Sequence, residues 1–275
     1  MLALQRMAGN RAVRALLARD VATVGAERVR FASKAERDEA ERIIKEMKSK
    51  YGVTFDSIAA QAATRKHSSD RGDGTEATLK AVDHVPWGIE ELRAIERALK
   101  YFGPVLGEAR KKSSRASTAQ EITTVGRLNT APDDDPKKPE LKTLGQYFPE
   151  AQTFAFFDPG PDSDASPQGL EQKAVHEIAH GVFEPQLEAF MKMTGYWKQK
   201  YVRSRDKTAE GPPDSYGDEN AGEDIAQSVM YYFTDPGRLK KGRPGRTQGT
   251  WGNPCPKRYK WIKAIVGGWT PKRGR

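Results

Sequence analysis

The sequence predicts an α+β domain. Amphipathic segments at helical spacing, short aromatic strand-like runs set among them, and the lack of any internal repeat of roughly 20 to 50 residues carry this reading. Residues 1–20, "MLALQRMAGNRAVRALLARD", place Leu4, Ala8, Ala12, Ala15 and Leu16 near helical spacing, with Gly9-Asn10 as a break. This gives one or two short helical turns, then a linker to about residue 32. In "SKAERDEAERIIKEMKSKYGV" the residues Ile43, Ile44, Met47 and Tyr51 mark a helix capped by Ser33 and ending near Gly52. Residues 65–80, "RKHSSDRGDGTEATLK", read as a polar loop.

A second helix is signalled by "GIEELRAIERALKYFG", where Ile89, Leu92, Ile95, Ala98, Leu99 and Phe102 share a face and Gly103 ends it. Residues 109–140 are polar and proline-bearing, with a short strand at "EITTVGRLN". "AQTFAFFD", bounded by "PGPDSDASP", reads as a strand. A helix then starts near Pro167 and carries "GLEQKAVHEIAHGVF". Pro185 lacks the donor to residue 181, so it opens a further helix, "PQLEAFMKM". After the loop "GPPDSYGDEN", Ile225, Val229, Tyr232 and Phe233 form the apolar face of a helix that Asp235-Pro236 stops.

Composition narrows the function classes. The chain has 275 residues, 37% of them apolar and 30% charged, and no apolar run approaches the roughly 18 residues of a membrane span. Its one cysteine, Cys255, excludes an internal disulfide and an all-cysteine metal cage; in "NPCPKR" it reads as a half-exposed, incidental thiol. Arg6, Asn10, Arg11 and Arg14 interrupt any apolar core of an ordinary secretory signal. The net charge of +9 is uneven: twelve of the 46 Lys and Arg follow Asp235 with no acid among them, leaving 34 bases against 37 acids before it. Such a basic tail, about residues 236–275, can meet nucleic acid, a membrane surface or an acidic patch of its own domain.

The chemistry sits in "KAVHEIAHGVF". On a helix, His176 and His180 point the same way and can offer two imidazole nitrogens to one ion about 2 Å from each. Glu177, about 100° round the axis, can reach a water on that ion without ligating it. The pattern is that of a zinc hydrolase, with Glu177 as general base and then acid to the leaving amine. A catalytic zinc usually has three protein ligands. Phe183 and Gln186 stand where the metzincin extension needs glycine and histidine, and His67 and His84 lie far upstream as ordinary surface or core histidines. A carboxylate on the later helix is the better candidate: "SYGDENAGEDIAQ" supplies Glu219, Glu223 and Asp224, and spacing alone does not choose among them.

At these residues the chain resembles a family. His176-Glu177-x-x-His180, then Ser215-Tyr216, then Glu223-Asp224-Ile225-Ala226-Gln227 are similar to the gluzincin metallopeptidases related to the catalytic domain of anthrax lethal factor. Weaker similarities at "IIKEMKSKYGV", "GIEELRAIERAL", "TFAFFD", "TGYW" and "PKRYKWI" extend it over about residues 33–266. The resemblance implies a zincin-like fold, with helices on a small mixed sheet and the His-Glu-x-x-His motif on the active-site helix. It also implies one zinc ion held by His176, His180 and Glu223, Glu177 as base, and Tyr216 as donor to the oxyanion. Gln227 departs from the family's second glutamate; it can accept from an imidazole N–H but brings no charge, which Asp224 or Glu219 could supply. Tyr196, Trp197, Tyr231 and Tyr232 read as core residues.

Residues 1–20 carry a second resemblance. "LQRMAGNRAVRALL" is similar to a segment near the start of proteins encoded beside bacterial extracellular contractile injection systems. It implies a loading signal that engages the injection tube or its loading apparatus. The expectation is therefore a segment and linker over 1–32 and a metallopeptidase domain over 33–275. The protein would be held in the bacterial cytoplasm, exported without a signal peptide into a target cell, and act there as a toxin effector that cleaves a protein or peptide. The rival expectations are a non-catalytic module of the same fold in the injection particle, and a nucleic-acid binder acting through the basic tail.

Overall fold

Alternation along "TFAFF" organises the centre of the molecule. The computed structural model describes residues 20–24, 27–71, 76–107, 122–129, 131, 145–157, 166–197, 209–242 and 254–269. Strand β7 (Thr153–Phe156) is buried along its whole length, and its side chains go alternately to two cores. Phe154 and Phe156 join the main core; Ala155, with Phe157 just beyond the strand, joins a smaller one. A strand buried on both faces needs cover on both, and helices supply it.

The sheet around it has the order β3-β5-β7-β6, with β3 (Thr54–Phe55), β5 (Thr124–Arg127) and β7 parallel and β6 (Gly145–Phe148) antiparallel at one edge. Helix α2 (Ser57–Arg71) covers the small core. A Cβ at Gly126 of β5 would sit 2.1 Å from the Ala60 Cβ, so only glycine allows α2 to lie this close. Helices α4 (Ile89–Phe102) and α5 (Pro167–Phe183) pack on each other in the main core through Leu92, Ile95, Leu99, Ala174, Ile178 and Val182. Helix α7 (Ala221–Thr234) packs on α5 through Ile225, Ala226 and Val229. The molecule is thus α+β, with helices on small mixed sheets.

Most elements follow the expected residues. Helix α1 (Lys34–Glu46) is capped by the Ser33 hydroxyl, which accepts from the Glu36 N–H at 3.2 Å, and a π-helical turn (Met47–Tyr51) carries it to Gly52. The Ser166 hydroxyl caps α5 through the Gly169 N–H at 3.1 Å, and Pro167 occupies the first turn. Pro185 lies in a 3₁₀ turn ahead of α6 (Leu187–Thr194). Two corrections apply upstream. Residues 65–71 are helical, because the alanine-rich α2 starts at a cap in which Asp56 accepts from the Ala59 N–H at 2.9 Å; α3 (Glu76–Ala81) follows.

The second correction concerns the stretch read as a linker. Strands β1 (Asp20–Val24) and β2 (Glu27–Phe31) pair antiparallel, and β2 also pairs with β4 (Trp87–Gly88). Burial alternates along "ERVRF", and Val29 and Phe31 enter the main core. The buried Glu27 carboxylate accepts from the Ser57 N–H at 2.7 Å, the Ser57 hydroxyl at 2.6 Å and the Trp87 indole at 2.8 Å. Strand β2 is thereby tied to the start of α2. The loading-like segment, residues 1–20, lies outside the described residues except for Asp20, as do most of residues 109–140.

The basic tail docks on its own domain over its described parts. Helix α8 (Pro236–Lys241) packs on α7 and on α9 (Pro256–Trp269), which also meets α7 and α6. Arg258 is fully buried: its Nε and Nη2 donate to the Asp224 carboxylate at 3.0 and 2.6 Å, and its Nη1 reaches Glu210. Cys255 is buried rather than half-exposed, and burial pushes its thiol up to about 12. Among the described residues no helix is long and apolar enough to cross a membrane.

Candidate metal centre

Helix α5 sets His176 and His180 one turn apart on one face, and α7 crosses it so that Glu223 meets them. The Asn220 side chain caps α7 by accepting from the Glu223 N–H at 3.0 Å, which places Glu223 in the first turn. Ligand atoms of His176, His180 and Glu223 all lie within 4.8 Å of one another. Glu223 Oε2 is 2.9 Å from His176 Nε2 and 3.3 Å from His180 Nε2, and the two Nε2 atoms are 3.1 Å apart.

Hydrogen bonding behind His176 decides which of its nitrogens carries the proton. The Asp214 carboxylate accepts from the Gln227 amide NH2 at 2.7 Å, since a carboxylate can only accept. That turns the Gln227 carbonyl oxygen toward His176 Nδ1, 2.8 Å away, so Nδ1 must be the N–H. Nε2 is then left with its electron pair, facing Glu223 and His180. Electron-rich atoms packed this closely repel unless a proton or a metal ion sits among them. Two imidazoles and one carboxylate are a donor set suited to zinc.

Electrostatics at this point also favours positive charge. Burial alone would lower the His180 pKa, but the Glu223 hydrogen bond and the charges of Glu177, Glu223 and Glu184 raise it above 6.5. Burial would raise that of Glu223, but positive charge and N–H donation from protonated imidazoles, the place a bound cation would take, hold it well below the usual carboxylate range.

Glu177 and Tyr216 flank the cluster. Both line a cleft of about 420 Å³ together with His180 and Glu223. Glu177 is only 4% exposed and lies under edge strand β6, where a Cβ at Gly145 would sit 2.8 Å from its Cγ. The Tyr216 ring is 5.6 Å from that of His176. Tyr216 is 42% exposed overall, but partial burial at its phenol end, with the charges of Glu223, Glu177 and Glu219, raises its pKa above 10, so the hydroxyl stays a donor.

The structure thus brings together all five residues singled out in the sequence: His176, Glu177, His180, Tyr216 and Glu223. It separates the other carboxylates. Glu219 is exposed and outside the cluster. Asp224 faces away, buried against Arg258 and accepting from the Trp197 indole at 2.9 Å. Contrary to the expectation from sequence, neither compensates for Gln227; Asp214 stands there instead. His67 is not remote either, since it lines the same cleft and meets Phe148 edge-on at 5.3 Å. His84 sits apart, with its Nδ1 3.2 Å from Asp83. Tyr147, also unremarked in the sequence, lines the cleft with its hydroxyl buried.

No family model and no curated protein matches the chain. On its own geometry it is an α+β protein with a two-histidine, one-carboxylate cluster at a cleft.

Proposed function

We propose that this protein is a zinc-dependent metallopeptidase of the gluzincin type. More particularly, we infer a lethal-factor-like endopeptidase, loaded through residues 1–20 into a contractile injection apparatus and acting as a toxin on a protein of a target cell. The observation that carries the reading is the convergence of three electron-pair donors with a carboxylate and a phenol at one cleft.

A zinc ion held by His176, His180 and Glu223 would supply an acidified water and a polarised scissile carbonyl. Glu177 takes the water's proton on its carboxylate and later gives it to the leaving nitrogen. The Tyr216 hydroxyl donates to the oxygen that gains negative charge. Edge strand β6 walls the cleft through Gly145, Gln146 and Tyr147. The tail lends little support to a nucleic-acid role. Trp261 packs on Phe190 at 5.4 Å, and Tyr259 lies between Tyr232 and Lys240, so these rings do not present free faces for stacking.

The test is cleavage of a proteome-derived peptide library. Wild type with zinc is expected to cut it, and Glu177→Gln to retain zinc while losing about 10²- to 10⁴-fold in rate. Equal cleavage by both would remove Glu177 as the base, and no cleavage by zinc-loaded wild type would count against the peptidase.

A further inference from the structure

The sequence left one gap in the site: a glutamine where a charged residue would support a ligand histidine. We infer that Asp214 fills this gap as a positioning residue, acting on His176 through Gln227 and on Tyr216 through Gly217. The inference rests on the metal reading proposed above and concerns how this chain holds its ligands.

Asp214 lies in the loop before α7, thirteen residues from Gln227. One carboxylate oxygen, Oδ2, accepts from Gln227 Nε2 at 2.7 Å and from the Tyr231 hydroxyl at 2.8 Å. The other, Oδ1, accepts from the Gly217 N–H at 2.9 Å. That last bond closes the turn Asp214–Gly217, which contains Tyr216. A single side chain therefore fixes both the tautomer of a ligand and the turn that carries the phenol.

The arrangement delivers charge one amide further back than a glutamate at 227 would. A carboxylate pulling on the Gln227 NH2 polarises the amide, and its carbonyl becomes a better acceptor for His176 Nδ1–H. Without that pull the amide has no reason to keep its oxygen toward His176. Flipped, it would present NH2 to Nδ1 and favour the tautomer whose Nε2 carries the proton and cannot ligate. The loop is anchored from behind: Arg238 Nη2 donates to the Pro213 carbonyl at 3.2 Å, and Cys255 Sγ lies 3.6 Å from the Gly211 carbonyl. The docked basic tail thus holds the loop that holds the site.

The test measures zinc dissociation constants by competition with a chromophoric chelator for wild type, Asp214→Asn, and Asp214→Asn combined with Gln227→Glu. Asparagine keeps an oxygen for the Gly217 N–H, so the single variant removes the charge and leaves the turn. It is expected to bind zinc about 10- to 100-fold more weakly. In the double variant the carboxylate at 227 accepts from both His176 Nδ1 and the amide introduced at position 214, and affinity is expected to return to within a factor of a few of wild type. A purely structural role for Asp214 predicts no such rescue. Zinc binding by Asp214→Asn equal to wild type, or a double variant as weak as the single, would overturn the inference while leaving the metal site standing. Absence of zinc binding by wild type would overturn the metal reading itself.

Discussion

Asp224→Ala is expected to destabilise the fold although residue 224 lies beside the metal cluster without joining it. Its carboxylate and the Arg258 guanidinium are both 0% exposed, and the carboxylate accepts from Arg258 Nε at 3.0 Å, Arg258 Nη2 at 2.6 Å and Trp197 Nε1 at 2.9 Å. Truncation leaves a buried cation and an indole N–H without these acceptors. Removing one partner of a buried pair typically costs about 3–5 kcal/mol. Glu210 still receives Arg258 Nη1 at 3.2 Å, which puts the expectation near the lower end, about 3 kcal/mol. With a urea slope near the top of the small-protein range, about 3 kcal/mol per M, the midpoint should fall by about 1 M. Urea denaturation followed by tryptophan fluorescence, at one zinc concentration for both proteins, measures it. A loss below about 1 kcal/mol, the size of an ordinary surface effect, would refute the claim that this pair clamps the tail to α7.

Three further outcomes are expected. In Gly145→Ala the new Cβ would approach Glu177 Cγ to 2.8 Å and Phe154 Cε2 to 3.0 Å, so the base moves; turnover should fall by about tenfold or more with zinc retained, as read by kcat and metal content. Tyr216→Phe removes the donor alone and should lower kcat by about 10²- to 10³-fold, with zinc affinity unchanged in the chelator competition. Zinc affinity should fall with pH because a proton competes for the same imidazole electron pair. The raised pKa of His180 means that binding is full above that pKa and begins to be lost while the pH is still above 6.5, a point that titrations between roughly pH 5 and 8 would locate.

The parts of this molecule that were legible in the sequence are those set by local periodicity. The 3.6-residue pattern around Ile89 to Phe102, the strand at Thr153–Phe156, the cap at Ser33 and the helix start at Pro167 depend on residues within a turn or two. The His176/His180 pair is of the same kind, a same-face spacing on one helix. What stayed hidden is long-range. Spacing alone does not separate Glu223 from Glu219 or Asp224, although the resemblance at Glu223–Gln227 picks it out; the reason is in the fold, where α7 meets α5 and Asp224 is taken by an arginine 34 residues on. His67 reaches the cleft only because α2 packs against the sheet whose edge strand, β6, forms the wall. Asp214 had one local sign, the Asp-Ser-Tyr-Gly turn, but its bond to Gln227 belongs to the fold.

The most direct measurement is metal analysis of purified wild type beside Glu223→Ala. A zinc site built on His176, His180 and Glu223 predicts one zinc per chain in the first and its loss in the second. Equal zinc in both proteins, or none in wild type supplied with the ion, would contradict it.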